Sequence, residues 1–359
     1  MQNKYRYPLA SDTIDTKDIK KLTSWLETMP QFTMGEMTKK FEKKWSEFIG
    51  TDYSVYVNSG SSANLLMAYA LKNLGWLKKN KFLVPSNGWV TTISPFIQFG
   101  IEPIMVDSEE CNFNIDLNIV EDYLKKGEVD GFIFVHVLGV PHRRKELLYL
   151  KEKYGCYILE DSCASVGAKF GNGDYIGTAG DMSTFSFYFG HQLSTIEGGF
   201  INTSDKTLYT ELLKLRSHGW VKDIANDEWR KHEDFPFVFL EPGFNVRPTD
   251  FQAYIGLGQI DKAESIFEKR SQNHIRYTQK LSNRFEWQDW KRATPVSLHI
   301  GILAESNEHR KRVIKKCHEN GIETRIWSHG NLGKHKFWTD RFGEFNGDVS
   351  NRIYERGFI

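Results

Sequence analysis

Residues able to do chemistry cluster in the run Ser183-Thr-Phe-Ser-Phe-Tyr-Phe-Gly-His-Gln-Leu-Ser-Thr-Ile-Glu-Gly-Gly199. Polar and apolar side chains alternate through its first half, the pattern of a strand with one buried face. Gly190 ends that alternation and presents His191, and Gly198-Gly199 opens a second apolar run from Phe200. A strand that delivers an imidazole into a glycine-flanked loop offers a proton acceptor with an ordinary pKa of about 6.5, suited to transfer at neutral pH. The competing readings of His191 are a core histidine or a residue of a protein without activity. A second candidate is Asn58-Ser-Gly-Ser-Ser-Ala63, which joins a strand to a helix start. Exposed backbone N–H groups and small hydroxyls there form a cup for a phosphate dianion. An ordinary serine N-cap would leave the same signature. A third, Ile158-Leu-Glu-Asp-Ser-Cys163, sets Asp161 just beyond a buried strand, as a functional carboxylate or as the cap of a turn.

These residues need a scaffold that brings strand ends together. Strands are expected at Tyr53–Val57, Lys81–Pro85, Pro103–Val106, Asp130–His136, Cys156–Glu160, Met182–Phe187 and Gly199–Asn202. Helix patterns lie between many of them, at Ala63–Leu77, Thr91–Phe99, Leu117–Lys126 and Lys145–Tyr154, with another at Leu208–Arg216. Alternation of this kind predicts an α/β domain with a mostly parallel sheet, whose sites gather at the carboxyl ends of the strands. Ahead of it, Asp15 or Thr16 caps a helix ended by Pro30, and Met37, Phe41, Trp45 and Phe48 mark a second. The stretch from His218 to Phe244 is long and aperiodic, which suggests a functional loop or one that covers a neighbouring subunit. Beyond it, a helical run from Thr249 towards Arg284, a strand-like Ser297–Ala304, a helix over His309–Asn320 and Ile322–Ile326 predict a smaller α/β lobe.

The His191 run resembles the active-site loop of the sugar aminotransferases, pyridoxal-phosphate (PLP) enzymes of fold type I acting on nucleotide-linked keto-sugars. Ser186-Phe187 and Glu197-Gly198-Gly199 match that family, and His191 stands where its members hold the lysine that forms a Schiff base with PLP. Imidazole forms no stable Schiff base, and the nearest lysines, Lys169 and Lys206, lie outside the loop. Histidine in this setting resembles one branch, the GDP-4-keto-6-deoxymannose 3-dehydratases, over nearly the whole chain from about Tyr7.

The resemblance implies that Gly60, Ser61 and Ser186 contact the coenzyme phosphate and that Trp89 stacks on its ring, although Trp89 is also readable as a core tryptophan. Asp161 would keep the pyridine nitrogen protonated and His191 would act as base. Asn245, in Gly243-Phe-Asn-Val-Arg-Pro-Thr249, would reach the phosphate from the partner subunit of a homodimer, or is a simple turn residue. His218 falls where the family places a polar residue on the amino-donor side. The implied reaction is a glutamate-coupled, lyase-type loss of the C3 hydroxyl from a GDP-4-keto-6-deoxy sugar. PLP and pyridoxamine phosphate (PMP) are its coenzyme forms, and ammonia is released. Alternatives are a nucleotide-sugar 4-aminotransferase and an inactive PLP-fold binding partner. The expected division is an N-terminal arm over 1–30, a large PLP-binding domain over 31–248 and a small C-terminal domain over 249–359. Family members usually run on for another helix.

Bulk properties exclude other classes. With 47 basic against 46 acidic residues, the net charge of +1 makes no case for nucleic acid or an anionic membrane. No apolar run approaches the roughly 18 residues that span a bilayer. The first residues lack a signal-peptide core, so the expected compartment is the cytoplasm. Cys111, Cys156, Cys163 and Cys317 show neither zinc spacing nor the convergence that an iron–sulfur cluster needs, so no metal is expected. Charged clusters such as His142-Arg-Arg-Lys145 and His232-Glu-Asp234 read as solvated surface.

Overall fold

The computed structural model describes residues 5–224, 226–327 and 330–359. Two helices, α1 (Thr16–Leu26) and α2 (Glu36–Ile49), precede the first strand, β1 (Tyr53–Val57). Then come α3 (Gly60–Asn73), β2 (Lys81–Pro85), α4 (Val90–Gln98), β3 (Glu102–Val106), α5 (Leu117–Lys126), β4 (Gly131–Val135), α6 (Arg144–Tyr154) and β5 (Tyr157–Asp161). Strands β6 (Met182–Ser186) and β7 (Gly199–Thr203) flank the His191 loop, and α7 (Lys206–Arg216) follows. A short α8 (Asp227–Arg230) interrupts the aperiodic stretch before α9 (Asp250–Asp261) and α10 (Ala263–Lys280). The remainder holds β8 (Ile302–Leu303), α11 (Asn307–Glu319), α12 (Lys336–Phe342), α13 (Asp348–Arg356) and β9 (Gly357–Phe358).

The seven large strands form one sheet in the order β1-β7-β6-β5-β4-β2-β3. All neighbours pair in parallel except β7, which is antiparallel to β1 and to β6. Because helices cover both faces, the apolar β4 is buried at every position, and so is β6, whose alternation predicted only one buried face. One apolar layer gathers Phe41, Trp45, Phe134, Phe185 and Phe200, and the opposite layer gathers Leu66, Phe82, Ile133, Leu159 and Leu212. This is the α/β architecture expected from the alternation of strands and helices.

Local boundaries shift for identifiable reasons. The run expected from Thr249 towards Arg284 is two helices, broken at Lys262, whose φ of −114° and ψ of 6° leave the helical region. There the Lys262 ammonium reaches Asp18 and Asp15 at the start of α1. Only Ile302–Leu303 of the expected Ser297–Ala304 strand is regular, and it pairs with β9. Ile322–Ile326 forms bridges to Tyr7 and Phe358 but no strand. His142 is not surface: it is 2% exposed, its Nε2 lies 2.9 Å from Ile115 O, and burial pushes its imidazole down to about 3. Among the described residues no helix is long and apolar enough to cross a membrane.

Asp250 shows how distant segments are joined. It is 2% exposed and accepts from Gly35 N at 2.8 Å, Met37 N at 3.1 Å and Thr38 N at 3.2 Å, and from Thr38 Oγ1 at 2.5 Å. One carboxylate at the start of α9 thus caps the free N–H groups of α2, more than 200 residues away in the chain. Asp250→Ala is expected to cost about 2–4 kcal/mol, since a cap is lost and buried donors are stranded. Urea unfolding would show this as a lower midpoint at unchanged slope.

Candidate active site

Four strand ends converge on one edge of the sheet, and each contributes a candidate side chain. β1 runs into Asn58-Ser59 and the start of α3, where Ser59 Oγ accepts from Ser62 N at 3.1 Å. The serine is therefore an N-cap, as one reading of the sequence held. The cap leaves the N–H groups of Gly60 and Ser61 without acceptors among the described residues, so cap and anion cup coexist. Ser186, at the end of β6, closes the cup: a Cβ placed on Gly60 would stand 2.6 Å from Ser186 Cβ and 2.9 Å from Cys163 Sγ. Only glycine permits this approach. Gly60→Ala is accordingly expected to weaken coenzyme binding by at least about tenfold, from the displacement of Ser186 and of one N–H donor. Fluorescence titration of the apoprotein with PLP measures it.

Asp161 ends β5 and is 3% exposed. Its Oδ2 accepts from Thr92 Oγ1 at 2.6 Å and from Asn64 Nδ2 at 2.9 Å, while Oδ1 accepts from Cys163 N at 3.1 Å. Asn64 is itself oriented by Thr184 Oγ1, 2.6 Å from its Oδ1. Three donors fix the orientation of this buried carboxylate, as a partner for a protonated ring nitrogen needs. Trp89 caps α4 one turn before Thr92 and is 53% exposed, so it is not a core tryptophan.

The neighbouring Glu160 points to the other side of β5. It accepts from Gly177 N, Ala179 N and Gly180 N at 2.6–3.0 Å and lies 3.1 Å from His136 Nε2. His136 Nδ1 accepts from His142 N, so its Nε2 carries the hydrogen that points at Glu160. Burial disfavours the Glu160 carboxylate, yet His136 and the N–H groups of Gly180 and Ala179 outweigh burial and hold its pKa below the usual range. This pair braces the strand that carries Asp161.

The loop from Phe187 to Gly198 is closed by Phe187 N→Gly198 O at 2.9 Å, Thr195 N→Phe187 O at 2.8 Å and Phe189 N→Ile196 O at 2.9 Å. His191 sits at its turn, its N–H on Tyr188 O at 2.9 Å and its ring edge-on to Tyr188 with centroids 5.9 Å apart. The residue is half-buried and its Nδ1 lies out of reach of solvent. Burial, reinforced by the charges of His299 and Arg270, pushes the imidazole down to about 4, so it is neutral at physiological pH. Gln192 ties the loop to the segment after Asp161, donating to Ala164 O at 2.9 Å.

The structure thus brings Gly60, Asp161, Ser186 and the His191 loop together, with Ser61 and Trp89 linked through Thr91, whose Oγ1 lies 3.3 Å from Ser61 Oγ. Asn245 and His218 make no hydrogen bond to this group among the described residues. Both are exposed, Asn245 bridges to Ser217, and His218 has a left-handed φ of 64° with its N–H on Phe244 O. The Asn245 segment still borders the cup, because Asn58 N donates to Val246 O at 3.0 Å. Sequence reading missed Asn64, Thr92, Thr184 and Gln192. A polar Asn64 amid the apolar run of α3 was the one available signal. Among the described residues no cluster of His, Cys, Asp and Glu could hold a metal. A helix-start cup with unpaired donors, a glycine that leaves room, a fixed carboxylate and an exposed indole fit the phosphate, the ring nitrogen and the flat face of PLP.

Comparison with known proteins agrees. The GDP-4-keto-6-deoxy-D-mannose 3-dehydratase of Yersinia pseudotuberculosis is 36% identical over 343 residues, covering 92% of this chain and 86% of the relative. The Escherichia coli GDP-4-keto-6-deoxy-D-mannose-3-dehydratase with bound hydrated PLP superposes with a TM-score of 0.88 at 30% identity, covering 99% of this chain and 94% of the other. A further structure, a GDP-4-keto-6-deoxymannose-3-dehydratase with a trapped PLP-glutamate geminal diamine, matches with a TM-score of 0.88 at 30% identity, covering 98% and 95%. Residues 12–359 match a single family model, and the chain belongs to the DegT/DnrJ/EryC1/StrS aminotransferase family.

Proposed function

We propose that this protein removes the C3 hydroxyl from a GDP-linked 4-keto-6-deoxy sugar, with PLP and PMP as alternating coenzyme forms and L-glutamate as amino donor. The products are the 4-keto-3,6-dideoxy sugar and ammonia. The observation that carries the reading is a neutral, half-buried His191 at the position where aminotransferases of this family need a lysine, in a loop that ends beside Ser186, Gly60 and Asp161. When bound, the coenzyme supplies an amine that condenses with the sugar ketone and a ring that accepts the electrons of a broken C–H bond.

The chain supplies everything else. Gly60, Ser61 and Ser186 hold the phosphate, Trp89 covers one face of the ring, and Asp161 keeps the ring nitrogen protonated. His191 takes the proton from the C4′ carbon and hands one to the departing C3 hydroxyl. No lysine lies between Lys169 and Lys206. The loop therefore offers no amine to displace the sugar nitrogen, which leaves with the product and is lost as ammonia. The working unit is a homodimer in which Asn245 of the partner subunit reaches the phosphate, while His218 borders the amino-donor side. Asn245 is exposed and therefore open to a second subunit.

Incubation with PLP, glutamate and GDP-4-keto-6-deoxymannose should yield ammonia and a deoxygenated sugar. A stable amino sugar would instead identify an aminotransferase, and coenzyme binding without turnover a binding partner.

A further inference from the structure

The segment packed against the His191 loop carries a positive charge that has no ion pair among the described residues. Arg270, on α10, is half-buried and donates from Nη1 to Ser297 O at 3.0 Å and Leu298 O at 3.2 Å. It forms no ion pair among the described residues, and its Nε–Nη2 edge makes no hydrogen bond there. One turn along α10, His274 Nδ1 lies 2.5 Å from Ser297 Oγ, and its Nε2 is buried without a partner. The next carbonyl, Val296 O, receives the Gln192 amide at 2.9 Å. Two carbonyl acceptors fix the orientation of that amide, so Gln192 Oε1 points away from both and is buried without a partner, as is His191 Nδ1. The Arg270 charge reaches the His191 ring, whereas burial pushes the His299 imidazole down to about 4 and leaves it neutral at physiological pH. Glu323, the acid that acts on His299, is already held by Arg325 at 3.2 Å and by Leu9 N at 3.0 Å.

A half-buried guanidinium with one edge free and no carboxylate partner among the described residues is a ready anchor for an anion. We propose that Arg270, on the wall packed beside the His191 loop, binds a carboxylate of the amino-acid donor. The idea rests on the glutamate-coupled reaction proposed above. Two observations favour a carboxylate over the diphosphate of the sugar nucleotide. The free edge of Arg270 is a planar two-donor fork, matched to one carboxylate. The wall also holds one permanent cation, whereas a diphosphate brings at least two negative charges. Position agrees, because a group next to the base must sit on the reacting carbon or close to it, and an amino acid carries its carboxylate there.

Calorimetry of the PLP-loaded protein with glutarate, which has both carboxylates and no amine, tests this without turnover, and GDP serves as the second ligand. Arg270→Gln should weaken glutarate binding about 10–100-fold, the range for a lost charge-assisted hydrogen bond, and leave GDP binding within about twofold. Arg270→Lys should fall between, and His299→Gln should cost a smaller factor. The proposal is overturned if the wild-type protein does not bind glutarate or if Arg270→Gln binds it unchanged. It is equally overturned if the loss falls on GDP. Should Arg270→Gln misfold by circular dichroism, unchanged glutarate binding in both Arg270→Lys and His299→Gln would reject it. Glutarate binding with no deoxygenated sugar would sink the reaction but keep the pocket.

Discussion

His191→Asn is expected to bind PLP normally and to deoxygenate its sugar about 10²–10⁴-fold more slowly, the range for loss of a positioned general base. Asparagine is close to imidazole in size and leaves the loop's backbone bonds intact, so the loss should fall on kcat with little change in KM. The pH profile gives a second check. His191 works in its neutral form and its pKa is pushed down to about 4, so the wild-type rate should fall only as pH drops through about 4. An unburied imidazole would lose activity through about 6.5. A limb at about 6.5 assigned to His191 would contradict the packing described for it. His191→Lys asks a separate question, whether this position faces the coenzyme. It should bind PLP covalently, with a new absorbance band in the visible and a mass increase that survives borohydride reduction. A lysine variant showing neither would remove position 191 from the site.

The second large effect is at Asp161. Asp161→Ala should slow single-turnover reaction by about 10²–10³-fold, by analogy with removal of one preorganised electrostatic contact, because the ring nitrogen loses the charge that keeps it protonated. The same change strands Asn64 Nδ2 and Thr92 Oγ1 as buried donors, at about 1–3 kcal/mol of stability. Thr92→Val separates the two roles. It deletes one hydrogen bond to the carboxylate and keeps the charge, so its rate should drop less than about tenfold. A Thr92→Val rate as low as that of Asp161→Ala would mean that orientation, and not charge, is what Asp161 provides. Rapid mixing of glutamate with the PLP-loaded variants, followed at the coenzyme absorbance, gives both rates.

The amino-acid order alone determined the alternating strands and helices, the cup at Asn58–Ala63, the placement of Asp161 past a strand end and the exchange of lysine for His191. Each is a local matter: a strand's apolar run, the polar turn that must follow it, and the residue type at the turn. Tertiary structure decided the rest. Thr92 and Asn64 find Asp161 across 69 and 97 positions, and Asp250 caps a helix 215 positions away, separations at which no periodicity carries a signal. His142 reads as part of a basic surface run until Phe134 and Ile115 close over it. Arg270 looks like one more charge on a polar helix, and only the packing of α10 against Ser297 and Leu298 brings it near enough for its charge to act on His191. Spacing along the chain says which face a side chain takes, whereas what lies opposite that face is set by how the layers close.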